Sequence, residues 1–352
     1  MSRFFLKSLR AANIAVIFFT FAAYLAPYIS PQTTWVFAVF GLFYPVLLFL
    51  NLLFFLFWLW RKKTYCLFSL GCIILGWTHL TGLMGFNFSQ VKPAEPLTVL
   101  TYNTRRFTNL FPLRGDNSEE QTAFAERLRE KIGTTEIFCL QEFHAYDVTV
   151  EKIKKLLNLP HFAKYDGRGT AIFSKYPIIK KGRVEFADTY NSAYWADIKI
   201  EEKTVRIYSV HLESVKISGD AAQLRKEGDL RTRETWSGIK SILRKYSHTT
   251  NARVNQTTVL NRHVADCPHP VIVCGDFNDT PVSYVYRQTA NRLNDNFQTA
   301  GSGWGATYAG SIPMLRIDYI FTSPKSFTVY EHGILREKYS DHYPVYSQLR
   351  LK

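Results

Sequence analysis

The first part of the chain is an uncharged stretch with few polar positions. No charged residue occurs between Arg10 and Arg61, a run of 50 positions. That run is too long for one membrane crossing of about 20 residues and has the length of two. Two prolines and a polar cluster at Pro27–Thr34 predict a turn between them. We therefore predict one helix near Ala11–Ile29 and a second near Trp35–Trp60.

A third uncharged run predicts a third helix near Cys66–Phe86. Basic residues precede the first helix and separate the second from the third at Arg61–Lys63. Cytoplasmic loops favour Lys and Arg, so we expect the N-terminus and this loop inside and everything after about Asn87 outside. The chain is then a multi-pass protein of the inner cell membrane, in contact with its lipids, with a periplasmic C-terminal part. We reject a cleaved signal peptide, because no A-x-A-like site closes the first segment and two further spans follow.

The remaining chain alternates short apolar, β-branched runs with helical patterns, which indicates an α/β domain of two packed sheets covered by helices. We divide the chain into an anchor over 1–91, a linker over 92–96 and a soluble domain over 97–352. The predicted strands are Leu97–Tyr102, Glu136–Gln141, Thr170–Phe173, Tyr194–Ile200, Val205–Val210, Val271–Cys274, Arg316–Phe321 and Pro344–Leu349. The predicted helices are Ser118–Lys131, Tyr146–Leu157, one or two across Ala221–Ala265, and a short one near Ser283–Thr289.

Net charge is divided between the two parts. The anchor has seven basic and no acidic residues up to Ala94, which is half of the formal charge of +14. Most of the other half lies in Ala221–His263, which contains nine Lys and Arg and three acidic residues. This segment could attract nucleic acid or anionic lipid headgroups, and a solvated helix face is an equal alternative. The five cysteines predict no disulfide framework.

Polar side chains recur where the apolar strands end. Functional groups on loops at the end of a rigid sheet are the usual construction of an active site. A single Asp after a strand is more often a turn former, and a lone His is more often structural. The recurrence is what indicates chemistry, and it involves Asn103, Glu142, His211, Asp276, Asn278, Asp318, Asp341 and His342.

The motifs LTYN, LQE, GTAIFSKYPI, SVHLES, GDFND, RIDYIF and SDHYPV follow in this order from Leu97 to the C-terminus. In this the chain resembles the endonuclease/exonuclease/phosphatase superfamily, which includes DNase I-like nucleases, sphingomyelinases and inositol polyphosphate 5-phosphatases. It is similar, more narrowly, to bacterial membrane-anchored members with three N-terminal spans and a GDFNDTP motif. The resemblance implies a four-layer α/β sandwich preceded by three transmembrane helices.

The resemblance also implies roles for individual residues. Glu142 resembles the principal Mg²⁺ ligand, with Asn103 beside the metal and the phosphate and Asp341 completing the metal side; Mn²⁺ suits such oxygen donors too. Asp276 resembles the group that orients or deprotonates the attacking water. The remaining implied roles are donation from Asn278 to the phosphoryl oxygens, a dyad of His342 with Asp318 at the scissile phosphate, and a second phosphate-binding imidazole at His211.

Two further positions, Ser174 and Thr307, match places where relatives often touch substrate, although turn roles are equally expected for them. No clear counterpart exists for the carboxylate that partners the second histidine in DNase I, since Glu213 lies too close in sequence to His211.

Three functions follow as hypotheses. The leading one is a metal-dependent, membrane-anchored phosphodiesterase of nuclease type, an endonuclease or exonuclease. The second is a lipid phosphodiesterase or phosphatase, either sphingomyelinase-like or phosphoinositide phosphatase-like, acting at the membrane surface. The third is a non-catalytic membrane-bound binding module, which predicts the loss of a metal or water-orienting group; none is missing. The expected partners are the phosphoester substrate and membrane lipids, and no protein partner is predicted.

Overall fold

The structure is a computed structural model, which describes residues 3–87, 95–105, 118–143, 147–164, 169–187, 189, 191–215, 232–310, 312 and 314–352. Its helices are α1 Arg3–Leu25, α2 Val36–Leu42, α3 Tyr44–Trp60, α4 Cys66–Leu75, α5 Trp77–Leu83, α6 Ser118–Ile132, α7 Asp147–Leu157, α8 Arg233–Ala265, α9 Tyr284–Ala290 and α10 Asn296–Ala300. Its strands are β1 Met84–Phe86, β2 Leu97–Asn103, β3 Ile137–Phe143, β4 His161–Lys164, β5 Gly169–Ser174, β6 Ile178–Val184, β7 Ser192–Ile200, β8 Lys203–His211, β9 Val271–Asp276, β10 Asn294–Asp295, β11 Ser302–Trp304, β12 Asp318–Thr322, β13 Phe327–Ile334 and β14 Val345–Leu351.

The apolar strands pair into two mixed six-stranded sheets. The first sheet has the order β13-β14-β2-β3-β5-β4, and the second has the order β10-β12-β9-β8-β7-β6. Within them, β2 with β3 and β8 with β9 are parallel pairs, and the other pairs are antiparallel. Strand β1, at the end of the anchor, forms a separate two-stranded sheet with β11.

Apolar side chains hold four layers together. Residues such as Val99 and Ile172 of the first sheet pack against Ile207 and Ile272 of the second, and this cluster is the central core. The outer face of the first sheet is covered by α6 and α7. The outer face of the second is covered by α8 and α9. The structure thus confirms the four-layer α/β sandwich.

The predicted elements of the domain are present, with some differences at their ends. The strand predicted over Arg316–Phe321 begins at Asp318, and the segment predicted as one or two helices contains a single helix, α8, from Arg233 onward. The beginning of that segment, 221–231, and residues 92–94 of the predicted linker lie outside the described residues. Strands β1, β4, β6, β10, β11 and β13 were not predicted: β1, β10 and β11 have only two or three residues, and β4, β6 and β13 stand at sheet edges.

The anchor differs from three straight helices. Within the described residues only α1 is by itself long and apolar enough to cross a membrane. The pairs α2 with α3 and α4 with α5 satisfy the same test only if each is counted as one bent span, with bends of 61° and 69°. The helices predicted over Trp35–Trp60 and Cys66–Phe86 are therefore each broken in two, and the first helix lies earlier than predicted.

Both bends have identifiable causes. Pro45 stands in the first turn of α3, where a missing N–H is tolerated but a continuous helix from α2 is not. At Gly76 an added Cβ would lie 2.1 Å from the Tyr24 hydroxyl, so the backbone approaches that ring closely. Buried hydrogen bonds between helices hold the bundle, including Asn13 to Ser69 at 2.9 Å and Asn51 to Thr20 at 2.8 Å.

Candidate active site

Three neighbouring strands of the second sheet bring three site residues side by side. Asp276 ends β9, and its register partners are His211 at the end of β8 and Asp318 at the start of β12. Opposed residues in a sheet project to the same face, so these side chains converge. The first sheet contributes Asn103 and Glu142 from the ends of β2 and β3. The predicted strand-end residues therefore meet where the two sheets adjoin.

The imidazole of His342 lies between two buried carboxylates. Its Nδ1 atom is 2.9 Å from Oδ2 of Asp318, and its Nε2 atom is 3.7 Å from Oδ2 of Asp276. Burial alone would lower the pKa of His342, but the charges of Asp318 and Asp276 raise it to about 10. Burial raises the pKa of Asp276 above its ordinary value, and the charge of His342 opposes that shift. His342 is accordingly an imidazolium cation facing Asp276 at neutral pH.

Asn103 connects the carboxylates of Asp276 and Glu142. Its Nδ2 atom donates to Oδ2 of Asp276 at 2.9 Å and reaches Oε1 of Glu142 at 3.4 Å. The Nε2 atom of His211 lies 3.8 Å from the same Glu142 oxygen and 3.9 Å from Asp276 Oδ2. This ring nitrogen is buried and has no hydrogen-bond partner among the described residues. A buried polar atom without a partner is costly, so its orientation into the site indicates a ligand.

Special backbone conformations shape the two ends of the site. Glu142 has a φ of +51° and stands where the register between β3 and β5 shifts, as a β-bulge does. Bulges next to active sites turn a side chain away from the regular alternation. Gly275 has a φ of +138°, and a Cβ there would lie 2.0 Å from the Val210 carbonyl oxygen. Glycine is therefore required immediately before Asp276.

Asn278 and Asp341 lie beside this centre, and the side chain of each makes a hydrogen bond to a neighbouring residue. The backbone N–H of Asn278 donates to Oδ1 of Asp276 at 2.8 Å, and its side-chain amide donates to the Leu212 carbonyl at 3.1 Å. Asp341 accepts from Ser340 and lies 3.8 Å from the Arg105 guanidinium. Both Asp276 oxygens are thus fixed by amide donors.

Thr307 is buried beside the site and holds the start of β12. Its hydroxyl oxygen accepts the backbone N–H groups of Ile317 and Asp318 at 3.0 and 3.1 Å, and the residue is buried. Its neighbour Tyr308 was not predicted; the ring lies edge-on to His342 with centroids 5.3 Å apart. A tyrosine in the GWGATYAG turn offered no periodic or motif signal that distinguishes it from a structural aromatic residue.

Ser174 is not brought to the site. It ends β5, which runs antiparallel to β3, and its register partner is Ile137 at the start of that strand. Glu142 stands near the other end of β3. The side chain of Ser174 is buried and accepts from the Tyr176 N–H at 3.0 Å, as a turn former does. The strand direction therefore separates Ser174 from the other predicted residues.

The donor set suits a hard divalent cation. Within the described part of the chain, the group of three metal-ligating side chains whose atoms lie within 4.8 Å of one another is Asp276, Asp318 and His342. However, His342 Nδ1 and Asp318 Oδ2 are already hydrogen-bonded to each other at 2.9 Å. Glu142 offers a carboxylate that is 36% exposed and is bordered by Asn103 and the unpartnered His211 nitrogen. Mg²⁺ prefers such oxygen ligands and retains waters, which fits this more open side.

Comparison with known proteins agrees with this architecture. The profile of the Endonuclease/Exonuclease/phosphatase family matches residues 100–342. A profile described as a domain of unknown function matches residues 4–83 of the anchor. No curated protein matches the chain.

Solved structures share the fold. An endonuclease/exonuclease/phosphatase of Bacteroides vulgatus is 18% identical, with 73% of this chain and 100% of that chain covered and a TM-score of 0.50. A mannosyl-6-phosphatase of Bacteroides thetaiotaomicron is 19% identical over 72% of this chain and 100% of its own, with a TM-score of 0.50. D. rerio TDP2 in complex with single-strand DNA product is 18% identical, covering 73% and 99%, also with a TM-score of 0.50.

At this identity the likenesses describe the fold alone. The family profile spans more than half of the chain, and it matches the segment that carries the converging Asn, Glu, Asp and His side chains. The chain therefore belongs to the Endonuclease/Exonuclease/phosphatase family, whose members are phosphoester hydrolases that generally depend on a metal ion.

Proposed function

We propose that the protein is a membrane-anchored phosphodiesterase that depends on Mg²⁺ or Mn²⁺. The observation that carries this proposal is the placement of two imidazoles on one buried carboxylate. His211 and His342 lie 3.9 and 3.7 Å from the same oxygen of Asp276. A phosphodiester in hydrolysis needs neutralisation of its equatorial oxygens and support for the attacking water, and these groups supply both.

Glu142, with Asn103 and Asp341 beside it, would hold the metal ion. The ion supplies positive charge to the phosphate oxygens and thereby lowers the barrier to attack. Mn²⁺ suits the same oxygen donors. The partner-free His211 nitrogen lies within 3.8 Å of Glu142, so it would face the same phosphate.

The protein's own groups would then orient the water and stabilise charge. Asp276 is fixed through both oxygens, by Asn103 and by the Asn278 N–H, and would orient the attacking water and accept its proton. The His342 imidazolium, held by Asp318, would contact the scissile phosphate. The side-chain amide of Asn278 donates one hydrogen to the Leu212 carbonyl oxygen. Its second hydrogen would donate to a phosphoryl oxygen.

For the substrate, our leading proposal remains a nucleic acid, cleaved by endonuclease or exonuclease action. Its support is the net positive charge of Ala221–His263, the segment that includes most of α8. The fold is compatible with this substrate and with others, since D. rerio TDP2 is complexed with single-strand DNA product and another neighbour is a mannosyl-6-phosphatase.

A second candidate substrate is the phosphodiester or phosphate of a lipid headgroup. The observation in its favour is that Val282, six residues after Asp276, packs against anchor residues Ala23, Tyr44, Leu47 and Leu83. A site this close to the anchor would stand near the bilayer surface. Ile312 and Met314, which follow Tyr308 by four and six residues in the chain, are both more than a third exposed. Exposed apolar side chains of this kind favour a lipid substrate.

For the membrane part we propose three spans, residues 1–91, joined through 92–96 to the catalytic domain over 97–352 on the periplasmic side of the inner membrane. The described contacts support opposite sides for the two ends of the bundle. Tyr28 and Gln32, between α1 and α2, touch Arg287 and Asn255 of the catalytic domain. At the other end, Arg10 packs over the Tyr65 ring.

The test uses the full-length protein in detergent with Mg²⁺ or Mn²⁺. Plasmid DNA, RNA, sphingomyelin, phosphoinositides and bis-p-nitrophenyl phosphate would be assayed in parallel. We expect hydrolysis of the generic diester and a preference for one macromolecular or lipid substrate. Preference for DNA or RNA supports the nuclease proposal, and preference for a lipid supports the second candidate. No hydrolysis of any diester under these conditions would refute the proposed function.

A further inference from the structure

The membrane anchor is more than a tether for the catalytic centre. We infer that anchor helices α2 and α5 position the active site, by holding the loop after β9 and the residues that precede β12. The inference rests on the proposed function only for its kinetic readout. It is carried by three separate contacts: two between the anchor and segments that adjoin Asp276 and Asp318 in the chain, and one with a segment that contacts Asp318 and His342.

The first contact is made by the end of the GDFNDTPV segment. Val282 is buried in a cluster with anchor residues, including Tyr44 and Leu83. Helix α2 approaches so closely that a Cβ at Gly41 would lie 2.2 Å from the Val282 carbonyl oxygen. Likewise, a Cβ at Gly82 of α5 would lie 2.8 Å from the Cβ of Pro281. Both glycines therefore allow the anchor to approach the loop after β9, Gly41 at the Val282 backbone and Gly82 at the Pro281 side chain.

The second contact is a buried arginine two residues before Asp318. Arg316 is 1% exposed, and its Nη1 donates to the Gly82 carbonyl of α5 at 3.0 Å. Its other terminal nitrogen pairs with Asp295. A buried guanidinium needs all of its partners, because an unpaired buried charge is costly. The end of the anchor thus supplies one of the hydrogen-bond acceptors of Arg316, which lies just before β12.

The third contact continues from the two-stranded sheet of β1 and β11. Gly305, directly after β11, donates its N–H to the Leu83 carbonyl at 2.8 Å. Two residues later, Thr307 accepts the N–H of Asp318, and Tyr308 packs on the ring of His342. The four residues from Gly305 to Tyr308 therefore contact the anchor at one end and both members of the His–Asp pair at the other.

These contacts form one connected unit. The Tyr319 hydroxyl lies 2.8 Å from the carbonyl oxygens of both Asp279 and Arg316, so the loop after β9 and the start of β12 are joined. From α8, Arg253 pairs with Asp279 at 3.2 Å, and Tyr246 donates to the Ala38 carbonyl of α2 at 3.0 Å. A displacement of the anchor would therefore move Asp276 and Asp318 together.

The first test introduces a Cβ at the two close approaches. We would prepare full-length Gly41→Ala and Gly82→Ala in detergent, with Gly71→Ala as the matched control. Gly71 lies in α4, and a Cβ there would meet nothing within 4 Å. Because a misplacement of about 1 Å can reduce turnover on the order of 100-fold, we expect kcat on bis-p-nitrophenyl phosphate to fall at least tenfold in the two site-facing variants. KM and Mn²⁺ affinity should stay near those of Gly71→Ala.

Hydrogen exchange at Gly275–Val282 gives a readout that does not depend on activity. We expect faster exchange in this segment in Gly41→Ala and Gly82→Ala, with unchanged exchange in the central strands β2 and β3. If the proposed function is wrong and no diester is hydrolysed, this measurement still tests the inference. Equal exchange and equal kcat in all three variants would overturn it.

A second experiment cuts the covalent connection. A site-specific protease sequence inserted between Asn87 and Glu95 would be cleaved after purification in detergent. We expect the anchor and catalytic fragments to elute together and to retain turnover, because Val282, Arg316 and Gly305 hold them through contacts outside the cut. Separation of the fragments with full activity in the free catalytic fragment would refute a positioning role for the anchor.

Discussion

Asp318 stands in one sheet of the sandwich and His342 just before a strand of the other, and the 2.9 Å contact between Asp318 Oδ2 and His342 Nδ1 joins them. Asp318 begins β12 of the second sheet, and His342 lies three residues before β14 of the first. Asn103 and Asp276 make a similar connection between β2 and β9. The candidate catalytic groups are therefore held by the packing of the two sheets on each other.

The first prediction concerns this His–Asp pair. Because the carboxylate is expected to act through the imidazole that it orients, Asp318→Ala, His342→Ala and the double variant should lose turnover to a similar extent. Steady-state rates on an accepted diester, with Mn²⁺ affinity as a control for the metal side, measure this. Multiplicative losses in the double variant would show that Asp318 acts independently of His342.

A second prediction separates water orientation from metal binding. Asp276→Asn should lower kcat on the order of 10²–10⁴-fold while Mn²⁺ affinity is retained. Glu142→Gln should weaken Mn²⁺ binding as well as turnover, because the proposed ligand loses its charge. Titration with Mn²⁺ followed by paramagnetic resonance provides the affinities. An Asp276→Asn enzyme with near-normal kcat would contradict the proposed role.

Metal removal is the third prediction. EDTA should abolish hydrolysis, and added Mg²⁺ or Mn²⁺ should restore it, because oxygen donors dominate the open side of the site. Far-UV circular dichroism before and after chelation serves as the control for folding. Hydrolysis that survives chelation would argue against a metal-assisted reaction.

The left-handed backbone of Glu142 leads to a fourth prediction. A φ of +51° costs a residue with a Cβ about 1–2 kcal/mol. Glu142→Gly should therefore raise the metal-free thermal midpoint by a few degrees while activity is lost. Glu201, with a φ of +50° in the turn between β7 and β8, is the matched control. Glu201→Gly should bring a similar stability gain without loss of activity; a lower midpoint in both would disprove the strain argument.

The fifth prediction tests membrane topology. Alkaline phosphatase fused after Asn87 should be active, and a fluorescent reporter at the same place should be dark, if three spans place the catalytic domain in the periplasm. Fusions after Lys63 should give the opposite pattern. A fluorescent signal after Asn87 would exclude the periplasmic placement and change which substrates are reachable.

Much of the fold could be predicted because its strands are short, apolar and bounded by polar turns. The same property placed Asn103, Asp276 and Asp318 at strand ends that the structure brings together. Ser174 could not be assigned correctly, because strand direction and register depend on pairing partners and not on local pattern. Its apolar strand looks the same whether it runs parallel or antiparallel to β3.

The anchor shows where sequence reasoning stopped for another reason. An uncharged stretch reports length and polarity, so Trp35–Trp60 was predicted as one helix, and Pro45, a local signal for the start of a new helix, was not used. The contacts of Gly41 and Gly82 with residues 281 and 282 join positions about 200 residues apart. No local pattern encodes such a pairing.

The pairing of β1 with β11 has a consequence for the biogenesis of the protein. Gly85 is paired with Gly303, so the last strand of the anchor has no partner until the chain beyond residue 304 has been synthesised. At about 5–20 residues per second, this interval lasts roughly 10–40 s on the ribosome. During that time the surface of α2 and α5 that contacts Val282 and Arg316 is uncovered. Synthesis of Ser302–Trp304 is therefore the step that gives this strand its partner, and a chain terminated earlier would leave Met84–Phe86 unpaired.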